Sequence, residues 1–208
     1  MMADFSIGRT ARRGFGGLFI VEGRDDRMQF WIYCALVFGP LIAIQFITQI
    51  VLTFPSFDAM AAAQPGDAEA GRKIFEGQMR GMVGAAYATI GIVMIGAMLV
   101  ISATARRLHD RGRSGWWALI LPPGLFAVAL GQARRVSEMT EHMPALLEKM
   151  ERQPGNPATM LDWVTRANMS THGPDWPAIV GGLLLLWSII DLVRAGTDGP
   201  NRFGASPG

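Results

Sequence analysis

Residues 30–54 read FWIYCALVFGPLIAIQFITQIVLTF and contain no charged residue. Residues 81–105, GMVGAAYATIGIVMIGAMLVISATA, are also uncharged. A helix needs about 20 apolar residues to cross a hydrocarbon core about 30 Å thick, so both stretches predict membrane spans. Two shorter apolar stretches, 114–131 and 176–193, predict a third and a fourth span. We therefore predict an all-α membrane protein with four transmembrane helices, because the buried helices of soluble proteins rarely run so far without a charge.

The composition agrees with membrane insertion. Half of the 208 residues are hydrophobic and only 17% are charged, whereas soluble domains carry about 25%. The single cysteine, Cys34 in the first span, excludes a disulfide scaffold and a cysteine-rich metal site. The first 29 residues are polar, and the apolar run that follows is too long for a cleaved signal peptide, so we expect it to stay as an anchor.

The distribution of arginine predicts the orientation. With four spans, the side that holds both termini and the loop after the second span carries 11 of the 19 basic residues and 7 acidic ones. The positive-inside rule therefore places both termini and this loop in the cytoplasm. We expect an inner-membrane protein with a cytoplasmic segment at 1–29, a membrane domain at 30–194 and a cytoplasmic tail at 195–208.

Two segments are expected on the outer side. Residues 67–80 are expected to be helical, with Asp67 as N-cap. Residues 132–175 look like a partly helical insertion, which either covers the spans or lies on the membrane surface. Within it, apolar residues recur at helical spacing and give a methionine-rich face, which Pro144 can interrupt. A further short helix with Trp163 on its apolar side is expected at 158–169.

Polar and proline residues inside the spans carry structural expectations. Pro122 and Pro123 predict a kink or break in the middle of the third span. Gln45, Thr48 and Gln49 in the first span are expected to form hydrogen bonds with other helices.

The densest polar stretch is residues 106–117, RRLHDRGRSGWW. Arginine binds phosphate in bidentate fashion, and tryptophan anchors helices at the headgroup level. The stretch is either a folded loop that locks the helices together or a loop that also holds an anionic headgroup or partner. His109 and Asp110 alone are a weak signal for metal-dependent hydrolysis, and a structural role is favoured. Asp191 is expected to pair with Arg194 or with an arginine of this stretch.

Three separated motifs resemble the domain of unknown function 805 family, which comprises small bacterial inner-membrane proteins. The family shows G-R-x-x-R-x-x-F-W, then R-R-L-H-D-x-x-x-S-G-W-W, then G-x-x-x-x-N-x-[YF]-G. Here GRDDRMQFW at 23–31, RRLHDRGRSGWW at 106–117 and GTDGPNRFG at 196–204 match these motifs. The chain departs from the family in its long segment at 132–175 and in an earlier copy of the first motif, GRTAR at 8–12. The resemblance implies the membrane fold but no activity.

All three motifs fall on the predicted cytoplasmic side, so we expect their polar residues to form one cluster. The expected members and their neighbours are Arg24, Arg27, Arg106, Arg107, His109, Asp110, Arg111, Arg113, Trp116, Trp117, Asn201 and Arg202.

These features favour a non-enzymatic inner-membrane protein that binds anionic lipid headgroups or a protein partner at this cluster. One alternative is a small transporter or channel subunit, which needs charges along a water-filled path. Another is an enzyme acting on lipid headgroups through His109, which needs a further catalytic group. The sequence has no nucleotide-binding or hydrolase motif, and neither a cofactor, a metal nor nucleic acid is expected. Self-association stays open.

Overall fold

A computed structural model describes residues 7–54, 61, 68–152 and 173–205. Within these residues the chain is helical and has no strand. The α-helices are α1 (Ile7–Gly16), α2 (Arg27–Thr53), α3 (Ala68–Asp110), α4 (Leu121–Arg152) and α5 (Trp176–Val193), and a 3-10 helix spans Gly115–Ile120. Four helical stretches, which begin at Arg27, Glu69, Gly115 and Trp176, are long and apolar enough to cross a membrane. The prediction of an all-α, multi-pass membrane protein is confirmed.

The helix α2 is strongly apolar and carries no charged residue after Arg27, as expected for a helix that crosses a bilayer. It begins after Asp26, whose Oδ1 accepts a hydrogen bond of 2.7 Å from the backbone N–H of Gln29, the geometry of an N-cap. Large side chains such as Phe46 and Val51 are exposed along its second half. In a bilayer these side chains meet lipid tails and need no protein partner.

The helices α3 and α4 are longer than a membrane requires. The 43 residues of α3 extend for about 65 Å at about 1.5 Å per residue, roughly twice the thickness of a hydrocarbon core. The uncharged residues 81–105 fill the core, so the turns that precede residue 81 project beyond it. The helix predicted at 67–80 is therefore the first part of α3 and continuous with the second span; Asp67 lies outside the described residues.

The third span differs from the prediction at its prolines. Pro122 and Pro123 stand in the first turn of α4 instead of breaking a helix in its middle. The first-turn N–H groups of a helix have no intrahelical acceptor, so proline is tolerated there. The change of geometry falls just before them, where the 3-10 helix Gly115–Ile120 passes into α4 at Leu121.

The segment expected as a partly helical insertion from residue 132 is helical in its described part. The described part of it, up to Arg152, is a direct continuation of α4, and Pro144 does not end the helix. Proline removes one backbone donor, but the turns on either side keep their own bonds. The short helix expected at 158–169 lies outside the described residues.

The chain divides into two compact units. The first comprises Met1–Ile44, Gly91–Ala127 and Val180–Gly208, and the second comprises Gln45–Ile90 and Val128–Ile179. The apolar core of the first unit is formed by Phe30, Tyr33, Cys34, Val37, Val100, Ala103, Ala105, Leu108, Ala118 and Leu192.

In the second unit, α2 and α3 approach closely at glycine. A Cβ atom at Gly81 would lie 1.7 Å from the carbonyl oxygen of Leu52. Small residues let membrane helices pack backbone to backbone in this way. Near this contact, Gln45 donates a hydrogen bond of 2.7 Å to Thr89 Oγ1, which confirms the expected interhelical bond for one of the three polar residues of the first span.

This contact predicts a large difference between two glycines of one helix. Gly81→Ala should destabilise the protein by about 1–3 kcal/mol, because the obstructing atom is backbone and cannot retreat by a rotamer change. Gly91→Ala on the same helix should be neutral or slightly stabilising, since a Cβ there meets nothing within 4 Å. Thermal unfolding in detergent measures both, and equal melting temperatures would contradict the packing.

Candidate functional site: a buried arginine–aspartate cluster

The candidate site lies in the first unit, where α3 ends and the segments before α2 and after α5 meet it. We call six residues the arginine–aspartate cluster: Arg13, Arg24, Asp25, Arg106, Arg107 and Asp110. Two carboxylates organise it, and each one pairs with two arginines.

Asp110 forms the first half of the cluster. Its Oδ1 accepts hydrogen bonds from Arg24 Nη2 at 2.8 Å and Nε at 3.1 Å, and its Oδ2 accepts one from Arg107. Its backbone oxygen accepts two more, at 2.9 Å each, from the N–H and the hydroxyl of Thr197. One aspartate therefore joins the end of α3 to both terminal segments.

The two arginines of this half extend the connection through backbone carbonyls. Arg24 donates to the carbonyls of Thr197 at 2.8 Å and Gly199 at 2.7 Å. Arg107 donates to the carbonyl of Leu192 at 3.1 Å and to that of Arg194. Backbone carbonyls of the tail after α5 therefore supply acceptors that hold it against the end of α3.

Asp25 forms the second half. Its Oδ2 accepts a hydrogen bond of 2.7 Å from Arg106 Nε, and its Oδ1 accepts one of 2.8 Å from Arg13 Nε. Arg106 also donates to the carbonyls of Gly17, at 3.0 Å, and Ile20. This half holds α1 and the turn that follows it against the end of α3.

The local sequence explains how the stretch 106–113 turns back so tightly. The end of α3 is a Schellman motif, in which the N–H of Arg113 bonds to the carbonyl of Leu108 and that of Gly112 to His109, both at 2.9 Å. Gly112 adopts a φ of 69°, a left-handed conformation that glycine accepts without strain. Gly23, with a φ of 91°, makes the corresponding turn before Arg24.

Three arginines of the cluster, Arg24, Arg106 and Arg107, are almost completely buried. The exposed fractions are 3% for Arg24, 3% for Arg106 and 0% for Arg107, and both aspartates are 5% exposed or less. Taking one partner from a buried ion pair costs about 3–5 kcal/mol, because the other charge is left uncompensated. Most of the guanidinium donors already reach carboxylates or carbonyls. The buried members of the cluster therefore hold separate segments of the chain together, while Arg13 at its edge is half exposed.

His109 and the last motif complete the same structure. The His109 ring stacks on Phe203 with centroids 3.9 Å apart and planes 5° from parallel, and its Nδ1 lies 3.3 Å from the carbonyl oxygen of Gly23. Asn201 donates a hydrogen bond of 2.9 Å to the carbonyl of His109. Arg202 donates to the carbonyl of Gly112 at 3.2 Å and lies over the Phe203 ring. These contacts give His109 a structural role.

The remaining expected members lie apart from this network. Arg111 and Arg113 pair with Asp191, each at 3.3 Å, which confirms the expected pairing of that aspartate with the loop. Trp117 contacts Trp187 edge to face with centroids 5.3 Å apart, and Trp116 is 76% exposed. Arg27 also lies outside the cluster, because it is exposed and has no ion pair within the described ranges. Its side chain lies on the solvent-exposed face of the first turn of α2.

Sequence reasoning missed three elements of the site. They are the ion-pairing role of Asp25, the anchoring role of Thr197 and the whole of α1 with Arg13. A signal for Asp25 exists in the stretch RDDR, but its two aspartates look alike. Only one turns inward, while Asp26 caps α2.

The helix α1 and the turn after it expose both basic and apolar side chains next to the cluster. Thr10 and Gly14 face inward, whereas Arg9 and Arg12 are exposed. Just after the helix, Phe19 is 96% exposed and Ile20 is 52% exposed. Apolar side chains in such numbers beside arginines are typical of an interfacial helix.

Comparison with known proteins identifies the motifs. A family model described as "Protein of unknown function (DUF805)" matches residues 18–205, which include all three motifs. No curated protein and no solved structure matches the chain. The resemblance inferred from the motifs is confirmed, and α1 lies before the matched region.

Proposed function

Given that the chain belongs to the DUF805 family of proteins of unknown function, we propose that it is a non-enzymatic membrane protein that binds anionic lipid headgroups at the cytoplasmic leaflet. The binding surface is α1 with the turn after it and the exposed Arg27. The observation that carries the proposal is a basic and apolar helix locked against the apolar part of the bundle.

The depth of α1 supports contact with lipid. The Phe15 ring contacts the Tyr33 ring edge to face at 5.3 Å, and the Tyr33 hydroxyl donates to the carbonyl of Leu99 at 2.9 Å. Tyr33 and Leu99 both belong to uncharged stretches that fill the hydrocarbon core. A helix packed on them lies at the boundary between core and headgroups, where an amphipathic helix is stable.

The exposed groups supply the chemistry. Arg9, Arg12 and Arg27 form no ion pair within the described part of the chain, so their guanidinium groups are available to phosphate. Each basic residue near an anionic membrane surface contributes about 1 kcal/mol of attraction. Phe19 and Ile20 add apolar area that water solvates poorly and acyl chains accept. The two kinds of group occur together on one short element.

The proposal places binding around the cluster rather than inside it. Arg106 and Arg107 are buried and engaged with Asp25, Asp110 and backbone carbonyls. A headgroup that reached them would have to replace these partners. Arg106 and Asp25 of the cluster position α1, and the exposed Arg9, Arg12 and Arg27 contact the lipid.

The two alternatives gain no supporting observation. A headgroup enzyme that uses His109 needs a further catalytic group beside the ring, but the ring stacks on Phe203 and its Nδ1 faces the carbonyl oxygen of Gly23. A transporter needs charged groups along a path within the spans. The buried charges of the first unit instead pair at the helix ends.

The proposal is tested by counting retained lipids. The full-length protein is reconstituted in nanodiscs of mixed phosphatidylglycerol and phosphatidylcholine and released in the mass spectrometer. We expect it to retain phosphatidylglycerol in preference to phosphatidylcholine. The double variant Arg9→Gln/Arg12→Gln should bind it roughly 30-fold more weakly at low salt, because two contributions of about 1 kcal/mol are lost. Salt should weaken binding to the parent protein in the same direction.

A matched control separates α1 from charge in general. Arg134 and Arg135 are likewise two exposed arginines close together near the end of an apolar stretch, but they lie on α4. Arg134→Gln/Arg135→Gln should leave phosphatidylglycerol retention at the parent level. Equal losses in both double variants, or no preference for phosphatidylglycerol in the parent, would overturn the proposal.

A further inference from the structure

The second unit contains a large cleft that the proposed function does not use. It has a volume of about 860 Å³ and lies between the first turns of α3 and the last turns of α4. Its apolar wall includes Phe75 and Met79 from α3 and Met143 and Pro144 from α4. Ligand sites typically measure about 300–1,000 Å³ and combine apolar walls with a few polar groups. We call it the α3–α4 cleft.

The charges around the cleft leave one arginine uncompensated. Each lining glutamate pairs with a basic residue one turn away on its own helix: Glu69 with Lys73 at 2.8 Å, Glu76 with Arg72 at 2.7 Å and Glu148 with Arg152. Arg80, which also lines the cleft, has no such partner among the described residues. The unpaired guanidinium of Arg80 therefore favours the binding of one anionic group beside it.

The position of Arg80 adds a second argument. It is the last charged residue before the uncharged stretch 81–105, so it marks the border of the hydrocarbon core on this side. The lining residues of α3, 69–80, rise from that border for about 16 Å at about 1.5 Å per residue. An amphiphile from the adjacent leaflet can therefore reach the cleft without crossing open water.

We propose that the α3–α4 cleft binds a long-chain carboxylate, a fatty acid, taken from the adjacent leaflet. Its carboxylate pairs with Arg80, and its chain lies along Phe75, Met79 and Met143. A single charged group with a single chain matches a cleft with one unpaired guanidinium and an apolar wall. Methionine side chains are flexible and polarizable and adapt to chains of different length and unsaturation.

Site-resolved photolabelling tests the proposal on the full chain in phosphatidylcholine nanodiscs. The probe is a long-chain fatty acid that carries a diazirine in its chain and an alkyne for enrichment, and labelled peptides are mapped by mass spectrometry. We expect label at residues 75–79 and near Met143, in excess over the lipid-facing part of α2. Arg80→Gln should lower this label at least fivefold, because the charged partner of the carboxylate is lost. A matching long-chain alcohol should label the cleft equally in both proteins.

Arg135→Gln is the matched control, since Arg135 is an exposed arginine on α4 that does not line the cleft. It should leave the fatty-acid label unchanged. Label that is no greater in the cleft than on α2 overturns the proposal, and so does cleft label that persists at the parent level in Arg80→Gln. Because this readout maps to the second unit and the phosphatidylglycerol readout depends on α1, either proposal can fail without the other.

Discussion

Asp110→Ala is expected to lower the stability of the protein by about 3–5 kcal/mol, because it leaves the Arg24 and Arg107 guanidinium groups buried without a carboxylate. Both side chains are almost completely buried, so water cannot replace the lost partner. The change also removes the carboxylate that positions Arg24 and Arg107, whose other donors bond to carbonyls of the tail. Thermal unfolding followed by circular dichroism in detergent measures the loss. A variant too unstable to purify would be assayed as Asp110→Asn, which keeps the shape and loses the charge.

The control for this prediction is another aspartate of the same unit. Asp198 lies in the tail, is exposed and belongs to no ion pair of the described chain. Surface substitutions of this kind usually change stability by less than about 0.5 kcal/mol. Asp198→Ala should therefore melt with the parent. If Asp110→Ala also melts with the parent, the cluster does not stabilise the fold.

Arg106→Ala is expected to release α1 while the tail stays in place. The substitution removes the ion pair with Asp25 and the bonds to the carbonyls of Gly17 and Ile20. A loss of about 3 kcal/mol at these contacts raises local opening on the order of 100-fold. Hydrogen–deuterium exchange should therefore become faster over residues 7–21. Exchange over 196–205 should hardly change, because Arg24 and Asp110 hold that segment.

Arg111→Ala provides the comparison for Arg106→Ala. Arg111 lies in the same stretch but pairs with Asp191 at the end of α5, and it does not touch α1. Its loss should leave exchange over 7–21 at the parent rate.

Uniform acceleration of both terminal segments in Arg106→Ala would show that the two halves of the cluster open as one unit. The Arg106 variant should also lose phosphatidylglycerol binding, because α1 would no longer be held at the membrane boundary.

The four spans are readable from the sequence for a simple physical reason. A bilayer requires long stretches without charge, and hydropathy reports that requirement directly. Where helices continue past the bilayer, the requirement disappears and so does the signal. The helix from residue 132 to Arg152 is predicted instead from apolar residues at helical spacing, but hydropathy gives no sign that it continues α4. The break predicted at Pro122 and Pro123 is wrong because hydropathy does not show where α4 begins. Proline breaks a helix only after its first turn, and both prolines lie in that turn.

The site was partly readable. The motif at 106–117 marks Arg106, Arg107 and Asp110, and the shared predicted side of the three motifs groups them with Arg24 and Asn201. The count of arginines on one side could not say which of them are buried, since burial depends on close contacts among segments far apart in sequence. It also overlooked α1, whose three glycines in ten residues give a weak helix propensity. The contact between Phe15 and Tyr33 of α2 supplies the stability that the sequence of α1 lacks.

The hydrogen bonds of Arg24 have a consequence for the order in which this protein matures. Arg24 is synthesised before any span, yet its carbonyl acceptors at Thr197 and Gly199 follow 173 and 175 residues later. At typical rates of about 5–20 residues per second, the ribosome needs roughly 10–35 seconds to supply them. During that interval the early arginine has no completed set of partners. Final closure of the first unit must therefore wait until the tail has left the ribosome, and a nascent chain stalled before residue 196 would display an open, charged helix end to the quality-control machinery.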